Sequence, residues 1–126
     1  MALIRQVVKT EGAAGQASGS AETEELWLGF LDMVQAIYNP AAPATTTVEV
    51  KEARPNGRVL FRKENNNVSG EWYPRHDTHK TDGSKETGQG DMFLTSGPLI
   101  VEVTGCDALD EAVEVVLQIA YQKEIL

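Results

Sequence analysis

Thr45-Thr46-Thr47-Val48-Glu49-Val50-Lys51 puts Val48 and Val50 on one side of an extended chain and Thr47, Glu49 and Lys51 on the other. This two-residue period predicts a strand with one buried face. Next comes Arg54-Pro55-Asn56-Gly57, a proline with fixed φ and an Asn-Gly pair suited to turn positions; beyond it Val59 and Phe61 alternate with Arg58, Leu60 and Arg62. Together they predict a β-hairpin, which sets the expectation for the whole chain.

Outward from the hairpin the same period recurs. Leu99, Val101 and Val103 alternate with Ile100, Glu102 and Thr104 and end at Gly105. Val113, Val115, Leu117, Ile119 and Tyr121 alternate strictly across 111–122, a spacing that a helix would scatter around its circumference. A helix is the competing reading there, since Asp107 is a suitable cap and Glu, Ala and Leu suit helices. The other face of this strand holds Val116 and Ala120, more apolar than a solvated face requires, so a cover is implied.

Residues 25–38 fit two periods. Leu26, Phe30, Val34 and Ile37 make a helical stripe, whereas Leu26, Leu28 and Phe30 alternate. Aromatic and β-branched content and the Asn39-Pro40-Ala41-Ala42-Pro43 turn favour a long strand, bent or bulged near Asp32. Leu3 to Lys9 predicts a first strand, and Glu71-Trp72-Tyr73 a short one halted by Pro74. Residues 12–21, rich in Gly, Ala and Ser, predict a flexible arm ordered by a partner. Residues 76–91 lack apolar side chains and predict a long exposed loop.

These segments predict a mainly β protein, an antiparallel β-sandwich or jelly-roll-like fold of six or seven strands. Residues 1–23 would form an N-terminal strand and arm, and residues 24–126 the sandwich domain. A chain of 126 residues suffices for one core, and a composition of 41% hydrophobic and 24% charged residues is that of an ordinary soluble protein. No apolar run approaches a membrane span or a signal-peptide core, which sets the expectation of a protein made in the cytoplasm without a membrane partner.

The net charge of −8 opposes a primary nucleic-acid contact, because phosphate binding relies on Lys and Arg. Most of the positive charge lies in residues 51–98, either on a solvated hairpin or on an edge that docks an acidic surface. Cys106 is the one cysteine, so no internal disulfide forms. It follows Gly105 and precedes Asp107, whose charge disfavours a thiolate; a small core or turn position suits it better than a nucleophile's role. His76-Asp77-Thr78-His79 is the most enzyme-like motif, yet with no third histidine, neighbouring cysteine or zinc-protease glutamate it reads as solvated loop. Neither a nucleophile elbow nor a phosphate loop nor a dinucleotide fingerprint occurs. The expectation is therefore a non-enzymatic protein without cofactor or metal.

One resemblance adds to this reading. Tyr38-Asn39-Pro40-Ala41-Ala42-Pro43-Ala44-Thr45-Thr46-Thr47-Val48-Glu49-Val50, then Gly57-Arg58-Val59-Leu60-Phe61, Asn65-Asn66-Asn67, Trp72-Tyr73-Pro74-Arg75, Asp82-Gly83 and Ser96-Gly97-Pro98-Leu99-Ile100-Val101-Glu102-Val103 resemble a family of small structural proteins of tailed bacteriophages. The likeness spans roughly residues 24–122, and its most distinctive runs are Pro-Ala-Thr-Thr and Tyr-Pro-Arg. It departs from the family in a first long strand rich in Leu, Met and Phe. The resemblance implies a capsid cement or decoration protein in the virion, bound to the major capsid protein lattice and assembled as a homo-oligomer, a dimer or trimer. Expected contacts are Trp27, Phe30, Trp72, Tyr73 and Arg75, with Arg58 and Arg62 as electrostatic contacts on the hairpin. A head–tail connector or tail component, and a module binding glycans through its aromatics, are the alternatives.

Overall fold

The computed structural model describes residues 2–23, 27–79, 81–82 and 84–124. Among them are eleven strands, all antiparallel: β1 (Ala2–Val8), β2 (Ala17–Glu22), β3 (Trp27–Tyr38), β4 (Thr47–Glu52), β5 (Val59–Lys63), β6 (Gly70–Trp72), β7 (His76–His79), β8 (Lys85–Asp91), β9 (Phe93–Ser96), β10 (Leu99–Cys106) and β11 (Val113–Glu124). A five-stranded sheet runs β1-β11-β3-β6, with β9 sharing the β3 edge that β6 occupies further along. A four-stranded sheet runs β2-β10-β4-β5, and β7 with β8 makes a separate two-stranded sheet.

The predicted mainly β sandwich is what forms, and alternation is the reason. Val113, Val115, Leu117 and Ile119 of β11 lie against Tyr38, Ala36, Val34 and Leu31 of β3. They join Val48 and Val50 of β4 and Leu99, Val101 and Val103 of β10 in one core cluster between the two larger sheets. All of these side chains but Tyr38 are sealed from solvent; at about 25 cal/mol per Å2 such burial is the main force holding the sheets together. Cys106 is buried in that core. Both doubtful segments, 25–38 and 111–122, contribute strands, because each pairs along its length with the other.

β3 carries the irregularity expected near Asp32. Leu31 faces Ile119 and Met33 faces Gln118, so Asp32 is the extra residue of a bulge. Arg75 pins it, donating from Nη2 to Asp32 Oδ1 at 2.8 Å and from Nη1 to the Asp32 carbonyl at 2.9 Å.

Several expectations need correction. The flexible arm of residues 12–21 is instead a turn followed by β2, which pairs with β10 along its length. Small residues serve a close approach there: a Cβ on Gly19 would lie 1.8 Å from the Lys9 carbonyl oxygen. Residues 1–23 thus supply one strand to each large sheet rather than standing apart from residues 24–126. The long loop of residues 76–91 is largely the β7–β8 ladder, whose backbone pairing needs no apolar side chain. The six or seven expected strands become eleven among the described residues, because β2, β7, β8 and β9 are short or lack apolar alternation.

The hairpin forms with a shifted register. Val50 faces Phe61 and Lys51 faces Val59, so Leu60 is the extra residue; Leu60 and Phe61 are buried and Val59 is 49% exposed. Asn56 takes φ 57°, and Gly57 packs so closely that a Cβ would lie 2.2 Å from the Glu52 carbonyl oxygen. The Gly57 N–H closes the turn on the Arg54 carbonyl at 2.9 Å.

Candidate protein-binding face

Each large sheet has one face in the core and one turned outward, and the two outward faces differ in chemistry. On the four-stranded sheet, Ser18, Ser20, Glu22, Glu49, Lys51, Arg62, Ile100, Glu102 and Thr104 point away from the core, as the alternation of buried positions in β2, β4 and β10 requires. Its charges are laced together, Lys51 with Glu102 at 3.0 Å and Arg62 with Glu49 at 3.3 Å. It is a solvated face.

The outward face of the five-stranded sheet interleaves aliphatic side chains with polar ones, Arg5, Gln35, Glu114 and Gln118 among them. Registers Val7↔Glu114, Arg5↔Val116, Leu3↔Gln118, Gln118↔Met33 and Glu114↔Ile37 place Leu3, Val7, Val116, Met33 and Ile37 on one side, opposite the core positions. Leu3 is 64% and Val7 49% exposed, whereas the central Val116 and Met33 are shielded by their neighbours, at 3% and 7%. Ala120 is nearly covered and Phe30 half-buried. The apolar content noted at Val116 and Ala120 thus extends across three strands. Two ion pairs stand at this face, Arg5 with Glu114 within it and Arg75 with Asp32 at the β3 bulge. The charges of Arg5, Arg75 and Asp32 are met within the chain.

The residues singled out from sequence do not converge on one site. Trp27 opens β3, and its side chain lies outside the described residues. Phe30 and Arg58 line one depression of about 500 Å3 with His76, Asp91, Met92 and Leu94. Arg58 is committed there: Nε donates to Glu52 Oε1 at 2.9 Å, Nη2 donates to the Leu94 carbonyl at 2.8 Å, and the guanidinium lies 5.7 Å from the Phe93 ring centre. Arg62 belongs to the other sheet's outward face. Trp72 is half-buried against the core, its ring 5.4 Å from that of Phe61. Tyr73 is exposed beside Glu71, to which its hydroxyl donates at 3.3 Å, and Arg75 braces the Asp32 bulge.

Leu3, Val7, Met33 and Ile37 were not anticipated as contacts. Their signal lay in the register rather than in any motif: each is the residue opposite an outward position of β11 or its neighbour.

The catalytic candidates gain no support from geometry. His76 stacks on Phe93 with ring centres 5.2 Å apart, while the side chains of Asp77 and His79 lie outside the described residues. No group of three His, Cys, Asp or Glu among the described residues is placed to hold a metal ion. No family model matches the chain, and no curated protein matches its sequence.

Proposed function

We propose that this chain is a non-enzymatic assembly protein, a cement or decoration subunit that docks on the major capsid protein lattice of a tailed phage and stabilises the head. The observation that carries the docking role is the group of exposed aliphatic side chains on the outward face of the five-stranded sheet. The core is already complete between the sheets, yet Leu3, Val7 and Ile37 remain exposed around Met33 and Val116. Several exposed aliphatic side chains gathered on one sheet face, beyond what the core requires, are surface for another protein.

The setting on a phage head comes from the resemblance across residues 24–122. Physical chemistry agrees with it in two respects. An acidic chain of net charge −8 favours a protein surface over packaged nucleic acid. A flat sheet face gives modest affinity per copy, and a lattice of repeated sites raises the avidity of each attached assembly.

Co-sedimentation with expanded capsids lacking this protein tests the reading. The wild-type chain binds saturably, and the Leu3→Asp/Tyr73→Asp variant, altered at two exposed positions, binds at least about tenfold more weakly with an unchanged circular dichroism spectrum. A folded wild-type chain that fails to bind overturns the capsid role.

A further inference from the structure

Resting on this docking role, we propose that the Val7–Ile37 end of the face contains a pocket for a lysine or arginine side chain of the bound partner. Val7 of β1, Ile37 and Tyr38 of β3, Asn39 and Pro40 of the following turn, and Glu111 and Glu114 beside and within β11 line a shallow depression of about 210 Å3. That exceeds the roughly 150 Å3 of a cavity able to hold a benzene ring, so a long side chain fits.

The lining separates into an aliphatic wall and a set of acceptors. Val7, Ile37 and Pro40 supply the wall, against which a methylene stem packs while its charged end reaches the rim. At the rim stand two carboxylates. Glu114 gives Oε1 to Arg5, which leaves Oε2 to accept. The Glu111 carboxylate is exposed and has no hydrogen bond or ion pair among the described residues.

The backbone donors of Tyr38 and Asn39 in the same lining are spent. The Tyr38 N–H donates to Ser69 Oγ at 3.0 Å and the Asn39 N–H to the Ala112 carbonyl at 2.9 Å. The Asn39 side-chain amide donates to the Glu111 carbonyl at 3.0 Å, and Pro40 has no N–H. Two carboxylates with oxygens to offer beside an aliphatic wall call for an occupant that donates, and their charge makes a cation the best one. Lysine and arginine share that chemistry: a donor-rich positive end on an aliphatic stem. The bound partner surface is therefore basic at this point. A second copy of this chain is disfavoured as the occupant, because it brings a net charge of −8 toward another −8.

The test uses amide chemical shifts of the full-length protein, titrated with acetyl-Ala-Lys-Ala-amide and with the counterpart carrying norleucine in place of lysine. The lysine peptide should shift Val7, Ile37, Asn39, Glu111 and Glu114 saturably. Norleucine in the peptide, or Glu111→Gln in the protein, should each weaken binding about three- to fivefold, the range expected of an exposed charge contact. Equal response to both peptides, shifts centred elsewhere, or no change in Glu111→Gln overturns the pocket. Capsid binding separates this inference from the docking role. If Leu3→Asp/Tyr73→Asp loses capsids and Glu111→Gln binds them as wild type does, the pocket fails and the face stands. If the pocket takes lysine selectively but the wild-type chain ignores capsids, the pocket stands and the capsid role fails.

Discussion

Arg58 wraps Glu52: its Nε donates to Glu52 Oε1 at 2.9 Å and its backbone N–H reaches the same oxygen at 3.0 Å. Arg54 adds a third bond to that atom from Nη2, also at 2.9 Å. One buried carboxylate therefore ties the β4–β5 turn to both of its flanks, and the side-chain hydrogen bond from Arg58 is the leading reason that its pKa falls from 4.5 to about 2.

A lowered carboxylate pKa contributes stability above its unfolded value and loses it as the folded form protonates. Glu52 should thus stabilise the protein fully above roughly pH 5, and its contribution should decline through the acid range toward about pH 2. Glu52→Gln should cost about 1–2 kcal/mol at pH 7, discounted because both arginines are partly in water. The difference between the two proteins in urea melts should shrink between pH 5 and pH 2; a constant difference would assign the effect to packing.

Gly19→Ala should be far more costly than a substitution in an unstructured arm. The new Cβ meets the Lys9 carbonyl oxygen at 1.8 Å, so β1 or β2 must move, at a cost of about 2–3 kcal/mol. Thermal unfolding measures it, with Gly15→Ala as the comparison for strain from positive φ, since nothing crowds a Cβ there. A wild-type midpoint in Gly19→Ala would return residues 17–22 to a mobile arm.

Tyr38→Phe should leave stability unchanged or raise it by up to about 1 kcal/mol. The Tyr38 hydroxyl is buried without a hydrogen bond of normal geometry; burial pushes its pKa up, and nearby Asn66 offsets only part of that. Denaturant unfolding decides: a clear loss of stability would mean that the Asn66 contact is a working hydrogen bond.

Arg75→Ala should loosen the Asp32 bulge, removing three donated bonds at a cost of about 1–2 kcal/mol. Amide exchange should speed up around Leu31 and Met33 before it does at the distant Val48 and Val103. Uniform acceleration would show that Arg75 has no special hold on this strand.

Leu3→Asp and Tyr73→Asp should each change stability by no more than about 0.5 kcal/mol, since both side chains are largely in water already. Chemical denaturation checks this. A large loss would mean that the outward face is part of what holds the fold, and capsid binding by the double variant would then need a different control.

The fold was legible wherever apolar residues alternate. Val113 to Ile119, Leu99 to Val103 and Val48 to Val50 each announce a buried face, and the core contains all of them. Trp72 was readable as core or anchor, and the fold sets it half-buried with its ring tilted against Phe61. The hairpin's turn was legible in Asn56 and Gly57, but not the register slip that exposes Val59 and buries Leu60. The candidate face was half legible, in Val116 and Ala120, because a strand's own period shows that its second face is apolar but not which strands lie beside it.

Alternation within each segment, set by the two-residue geometry of extended chains, determined that this protein is built of antiparallel sheets around an aliphatic core. Tertiary pairing alone decided that residues 17–22 close an edge and that Leu3, Val7, Met33 and Ile37 gather on one side. Backbone hydrogen bonds hold a strand without regard to side-chain polarity, and neighbours on a sheet come from distant parts of the chain, so neither outcome leaves a local mark.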